Sequence, residues 1–77
     1  MSQVEVRLYA GLRAHIRGAT SVRVEIEPGE TIAQVLERLS VPLNQTRIIF
    51  VNHRTTILDQ ELLGGEEVGI FPAIGGG

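Results

Sequence analysis

The residues with an evident chemical use stand at the end of the chain, where Phe71-Pro72-Ala73-Ile74 runs into Gly75-Gly76-Gly77. A carboxylate on Gly77 is a weak electrophile, because its charge is delocalised and its leaving group is oxide. The same carbon, on an extended end, could be handed to another protein's active site. Glycine has no Cβ and reaches backbone angles closed to other residues, so Gly75 and Gly76 would let that carbon enter a channel too narrow for side chains. A frayed terminus is the plain alternative. The rest of the chain has to decide between the two.

Few other residues compete for a chemical role. There is no cysteine, which removes disulfides, thiolate metal sites and a cysteine nucleophile. All seven basic residues are arginines, so no side-chain amine is available for a Schiff base or an isopeptide bond, and only the α-amino group of Met1 remains. His15 and His53 are far apart, with no cysteine or paired carboxylate at ligand spacing, and read as solvated histidines; no metal is expected. Gly64-Gly65 lacks the following lysine and opens no helix, so it is a turn and not a phosphate loop. No nucleophile with a base is present, so the chain is not expected to be an enzyme.

Size and charge narrow the partners. A chain of 77 residues buries only roughly 60–65% of its unfolded surface, which leaves no interior for an enclosed active site. The 43% hydrophobic content nevertheless predicts one folded domain. Net charge is -2, with acids and bases interspersed along the chain, which predicts neither a stripe for phosphate backbones nor a polybasic membrane patch. Nucleic acid and membrane are not expected partners. Met1-Ser2-Gln3 leads into a charged alternating segment, and no apolar run approaches the length of a membrane span, so a cytoplasmic location is expected.

The elements that would position the tail follow from periodicity. Val4, Val6 and Leu8 alternate with Glu5, Arg7 and Tyr9, a half-buried strand that turns Tyr9 outward. Leu12 and Ile16, four apart, predict one or two helical turns, stopped by Gly18. Val22, Val24 and Ile26 mark a second strand, and Pro28-Gly29-Glu30 a turn. Thr31 and Gln34 form a capping box for a helix whose apolar stripe is Ile32, Val35, Leu36 and Leu39, with Pro42 as its stop. The continuous run Ile48-Ile49-Phe50-Val51 predicts a strand covered on both faces or on a central path, followed by a hairpin turn at Asn52-His53 and a short strand over residues 54–57. Residues 58–63 read as an irregular helical turn, and Val68-Gly69-Ile70-Phe71 as the last strand, ended by Pro72 for want of an amide donor. Two strand pairs with a crossover helix between them predict an α+β fold: a β-grasp, ubiquitin-like mixed sheet of four to five strands wrapped around one main helix. The expected organisation is a β-grasp domain over 1–72 and a flexible glycine tail over 73–77.

The segments Val6-Arg7-Leu8-Tyr9-Ala10-Gly11-Leu12-Arg13, Val51-Asn52-His53 and the whole run from Leu62 to Gly77 resemble the ubiquitin-like sulfur carriers, most closely the small subunit of molybdopterin synthase. The thiazole-synthesis sulfur carrier and small ubiquitin-like modifiers look like more distant relatives. The resemblance implies that Gly77 is adenylated by a ubiquitin-activating-type enzyme, which uses ATP and magnesium, and is then converted to a thiocarboxylate. It implies as partners that adenylating enzyme, a sulfur donor protein, and the large subunit of molybdopterin synthase or another sulfur-accepting enzyme; no cofactor is bound by the chain itself. Gly75 and Gly76 would give access, while Pro72 fixes φ and biases Phe71 toward an extended conformation. The family's apolar docking patch maps onto Tyr9, Thr55 and Phe71, with Pro72 beside it, and Thr55 departs from the larger apolar residue typical there. Its acidic turn maps onto Glu66-Glu67, which would meet arginines of the adenylating partner. Two alternatives stay open: a modifier joined to lysines of target proteins, and a carrier serving another pathway such as thiamine, cysteine, tRNA thiolation or a secondary metabolite.

Overall fold

The computed structural model describes residues 2–72, so the expected tail with Gly75, Gly76 and Gly77 lies outside the described residues. Seven strands and one α-helix follow in chain order: β1 (Ser2–Leu8), β2 (Ser21–Ile26), β3 (Glu30–Thr31), α1 (Ile32–Arg38), β4 (Thr46–Val51), β5 (Arg54–Thr56), β6 (Glu61–Leu62) and β7 (Glu67–Pro72), with 3-10 turns at Ala10–Ile16 and Leu43–Gln45. Five of the strands make one mixed sheet in the order β2-β1-β7-β4-β5. Its centre is a parallel pair, β1 with β7, running from Glu5 opposite Glu67 to Leu8 opposite Ile70. The outer pairings, β1 with β2 and β4 with β7 and β5, are antiparallel.

Period-two burial sorts this sheet into two faces. Val4, Val6 and Leu8 of β1, Val24 and Ile26 of β2, Ile49 of β4, and Val68 and Ile70 of β7 join one cluster with Ile32, Val35 and Leu36 of α1. No polar or charged side chain is buried among the described residues. This is the expected β-grasp arrangement, with one face of the sheet closed over one helix. The capping box at the start of α1 forms as the sequence predicts: the Gln34 amide nitrogen donates to Thr31 Oγ1 at 3.2 Å, and the Thr31 backbone N–H donates to Gln34 Oε1 at 2.8 Å.

Several local expectations are corrected. The helix ends before Pro42, at a left-handed Ser40 (φ 60°), where the Ser40 amide donates to the Glu37 carbonyl and the Val41 amide to the Leu36 carbonyl. That is the Schellman arrangement with serine in the place glycine usually takes. In the first 3-10 turn, Arg17 (φ 59°) is already left-handed before Gly18. Residues 58–63 are not a helical turn: β6 pairs antiparallel with β3, Glu30 opposite Leu62, which buries Leu62 completely beneath the helix start. β4 runs on a central path between β7 and β5 but is not covered on both faces, since Ile49 is buried while Ile48 is 45% exposed. β7 ends at Pro72 as expected, with Pro72 itself still in the strand opposite Thr46. Pairing with β1 stops at Ile70 and the β4 register slips between Thr46 and Ile48, so a residue without an amide donor is accommodated there.

The turn before β7 needs glycine. Gly64 has φ 123°, and a Cβ there would come within 2.9 Å of Ser2 Cβ. Gly64→Ala is therefore expected to lower the midpoint of denaturant unfolding, by about 1 kcal/mol or more. Ser40→Gly should shift it the other way by up to about 1 kcal/mol, because it relieves a left-handed residue that carries a Cβ.

Candidate functional site

The face of the sheet turned away from α1 is defined by the residues that alternate with the core. Across its middle run Arg7 on β1, Gly69 on β7, Phe50 on β4 and Thr55 on β5, paired in register. Toward the end where β7 finishes come Phe71 and, opposite it on β4, Ile48. Tyr9 follows the last residue of β1 in extended conformation (φ -116°, ψ 152°), with its amide donating to the Ile70 carbonyl at 3.2 Å. That bond prolongs the parallel ladder by one step and sets Tyr9 beside Phe71.

The two rings stack, with centroids 4.1 Å apart and planes inclined by 7°. Phe50 meets the other side of the cluster edge-on, its centroid 5.7 Å from that of Phe71 at 75°. Such pairs contribute roughly 0.5–1.5 kcal/mol beyond the area they cover. All three rings are half-buried although they stand on the outer face. Gly69 lies beneath them: a Cβ there would make ordinary contact, 3.7 Å from Tyr9 Cε2 and 3.9 Å from Phe50 Cβ, and a longer side chain would reach into the space between the rings. The missing side chain leaves a shallow cavity of about 220 Å³ between the rings, bordered on its polar side by Arg7, His53 and Glu67.

Electrostatics on that border are local. Arg7 Nε lies 3.4 Å from Glu67 Oε2, and His53 Nε2 lies 3.8 Å from Glu67 Oε1. The Asn52-His53 turn has both residues left-handed (φ 50° and 71°), and it is tied to β7 by the Asn52 amide donating to the Glu67 carbonyl and the Glu67 amide to Asn52 Oδ1. The Glu66 carboxylate accepts from the amides of Leu63 and Gly64 at 2.8 and 2.7 Å, so it closes its own turn. Both acids of the Glu66-Glu67 pair are thus engaged within the chain. His15 lies elsewhere, its Nε2 3.4 Å from Gln45 Oε1. Among the described residues no group of three metal-ligating side chains converges, and no helix is long and apolar enough to cross a membrane.

Of the docking residues expected from sequence, Tyr9, Phe71 and Pro72 come together where β7 ends. Thr55 is on the same face but stands apart from them, exposed and next to Phe50. Phe50 is the residue the sequence reading missed. The available signal was Gly69, a glycine inside a strand, which often marks a close approach of other groups from a neighbouring strand.

A five-stranded mixed sheet closed over one helix is the ubiquitin-like β-grasp fold. The chain belongs to the ThiS family, whose model matches residues 6–77, and so to the ubiquitin-like sulfur carriers. No curated protein matches the sequence. The fold is similar to that of small archaeal modifier protein 1 from Haloferax volcanii, at 20% identity over 96% of this chain and 100% of that one, TM-score 0.77. It is also similar to the Haloferax volcanii HVO 2177 protein, at 20% identity over 99% and 87%, TM-score 0.79. A chain from the complex of subunits 1 and 2 of the molybdopterin-converting factor of Helicobacter pylori is similar at 19% identity over 97% and 99%, TM-score 0.63. At these identities the likeness is one of fold.

Tyr9 is the only tyrosine and there is no tryptophan, so near-ultraviolet circular dichroism reports the stack directly. Phe71→Leu is expected to collapse the tyrosine band and to cost about 0.5–1.5 kcal/mol of stability. A band unchanged in that variant would mean that the rings do not stack in solution.

Proposed function

We propose that this protein carries sulfur as a thiocarboxylate on Gly77 and is a cosubstrate rather than a catalyst. The observation that supports it is the family match, which extends through Gly75-Gly76-Gly77. In the proposed sequence the Gly77 carboxylate attacks the α-phosphorus of ATP, held with magnesium by a ubiquitin-activating-type enzyme, and pyrophosphate leaves. A persulfide on a donor protein then attacks the acyl carbon and AMP leaves; a thiol cleaves the resulting acyl disulfide, which frees the thiocarboxylate on Gly77 and leaves the donor sulfur and that thiol joined as a disulfide. Transfer of that sulfur to an acceptor and hydrolysis restore the carboxylate.

The chain's own residues contribute docking and reach. Tyr9, Phe50 and Phe71 form the anchor, and Gly69 leaves a cavity between them that can receive one apolar side chain of the partner. Residues 73–77 span at most about 17 Å when extended, so the partner's reactive centre has to lie within that distance of Pro72. Gly75 and Gly76 supply passage at the narrow end. The acceptor we favour is a large subunit of the molybdopterin-synthase kind, acting in molybdenum cofactor synthesis in the cytoplasm; the Helicobacter pylori complex supports it by fold alone.

Intact mass of the protein taken from its own cells tests this directly. The expected result is a population heavier by the replacement of one oxygen by one sulfur, localised to Gly77. A ladder of high-mass conjugates without that species would favour a protein modifier, and full function after deletion of Gly76 and Gly77 would sink both. On the docking face, Tyr9→Ala, Phe50→Ala and Phe71→Ala are each expected to weaken binding to the adenylating enzyme by about 2 kcal/mol, roughly 30-fold, with Thr55→Ala far smaller; calorimetric titration measures all four.

A further inference from the structure

The small net charge hides a division. All nine acids fall at position 5, between 25 and 37, and between 59 and 67, whereas all seven arginines and both histidines fall between 7 and 23 or between 38 and 54. The fold gathers part of each block at one end of the sheet. Because β1 and β7 are parallel and β4 runs against them, the finish of β1, the finish of β7 and the start of β4 share one end of the sheet. Arg13 is there, its Nε donating to the Leu8 carbonyl at 3.3 Å, and Arg17 closes the same 3-10 turn. Arg47 sits on β4 between the partners of Pro72 and Phe71, and His15 reaches across to Gln45. Arg13, Arg17 and Arg47 are exposed.

The opposite end carries the acids. Glu25 pairs with Gln3 near the start of β1, Glu27 and Glu30 flank the turn that follows β2, Glu61 lies 3.9 Å from the Cβ position of Gly29, and Glu66 and Glu67 open β7. Of the arginines toward these acids, Arg38 pairs with Glu30 at 3.0 Å and Arg7 with Glu67 at 3.4 Å, while Arg23 stands opposite Glu5 in register. Among the described residues no carboxylate pairs with Arg13, Arg17 or Arg47. The molecule is an electric dipole whose positive end surrounds the point where the chain leaves β7.

From this placement we infer that the basic end docks against a rim of carboxylates on the partner protein that receives the tail. The inference rests on the reading that the tail enters a partner. Three guanidinium groups around Pro72 meet the partner wherever the aromatic face is seated, because residues 73–77 allow at most about 17 Å between Pro72 and the reactive centre. Charges so placed act before contact: at an ionic strength near 0.1 M they are felt over about 10 Å, which orients the incoming molecule tail first. The acidic far end is repelled by the same rim, so the wrong orientation is disfavoured as well. Guanidinium also suits the task, since it binds carboxylates through two parallel N–H donors.

The test measures the association rate of the full chain with the ubiquitin-activating-type enzyme of the same cells, by stopped flow at low and high salt. Arg17→Glu with Arg47→Glu reverses two charges at the tail end, and Arg23→Glu with Arg54→Glu makes the same change in net charge away from it; circular dichroism confirms that both variants fold. The first pair is expected to slow association about tenfold or more at low salt, with the difference closing at high salt, and the second pair to change it at most about twofold. Equal slowing by both pairs, or none by either, overturns the inference. So does competition by a uridylate oligonucleotide for the wild-type complex, which would make the basic end a nucleic-acid surface. An enzyme that binds the wild-type chain with this salt dependence yet forms no acyl adenylate on it would instead defeat the carrier reading and leave the docking rim standing.

Discussion

The parallel pairing of β1 with β7 is the interaction on which the rest of this structure depends. It joins the first strand of the chain to the last, over sixty residues apart in sequence, so closing the ladder costs the entropy of a long loop. The ladder fixes three things together. It brings Val4, Val6 and Leu8 level with Val68 and Ile70 on the face that α1 covers, so the core is continuous across the sheet centre. It puts Tyr9 next to Phe71, because the Tyr9 amide takes the Ile70 carbonyl one step beyond the last pair. It also sends β7 out of the sheet at the end where β1 finishes, so the tail begins beside the aromatic face. A shift of this register by one residue would turn Ile70 outward and Phe71 into the core, and the docking face would be lost with the packing.

A chain this small has one helix to cover a five-stranded sheet, so one sheet face must remain in water. The outer face answers that condition in two ways. Most of it is polar, with Arg7, Glu5 and Glu67 along the central rows. Where it is apolar, the aromatic rings cover one another: Tyr9 lies flat on Phe71, and Phe50 closes the edge, which leaves each ring half-buried without a partner. Stacked rings on rigid strands lose little freedom when a partner arrives, which is the condition for an anchor that binds without reorganising. Gly69 sets the depth of the cleft between them, and its missing side chain is the reason the patch is concave and not flat.

Much of this was legible from the sequence wherever a local rule decides. The alternation in β1 and β2, the capping box at Thr31 and Gln34, and the helix stripe are local signals, and the structure follows them. The failures share a cause, which is pairing between distant segments. Residues 58–63 looked helical because nothing local shows that Glu61 and Leu62 will find Glu30 and Thr31. The run Ile48-Ile49-Phe50-Val51 left cover on both faces open because hydrophobicity does not tell a core residue such as Ile49 from an outer-face residue such as Phe50. Pro72 ends β7 as its missing donor implies, but the slip in the β4 register that admits it into the strand is not a local signal. The charges read as interspersed when taken singly, and as two opposed ends once β1, β4 and β7 are laid side by side.

The chemistry left to the chain follows from what it lacks. With no cysteine and no lysine, its side chains contain no strong nucleophile that an activated Gly77 would acylate within the molecule or on a second copy. On the proposed reading the acyl adenylate is the acylating species, and amine side chains close to it would compete with the sulfur nucleophile. Arginine keeps the positive charge needed for docking while staying protonated at any physiological pH, so it attracts carboxylates without competing as a nucleophile. On the proposed reading the separation of roles is physical: the sheet supplies register, the aromatic face contact, the arginines approach, and the reactive carbon lies beyond Pro72.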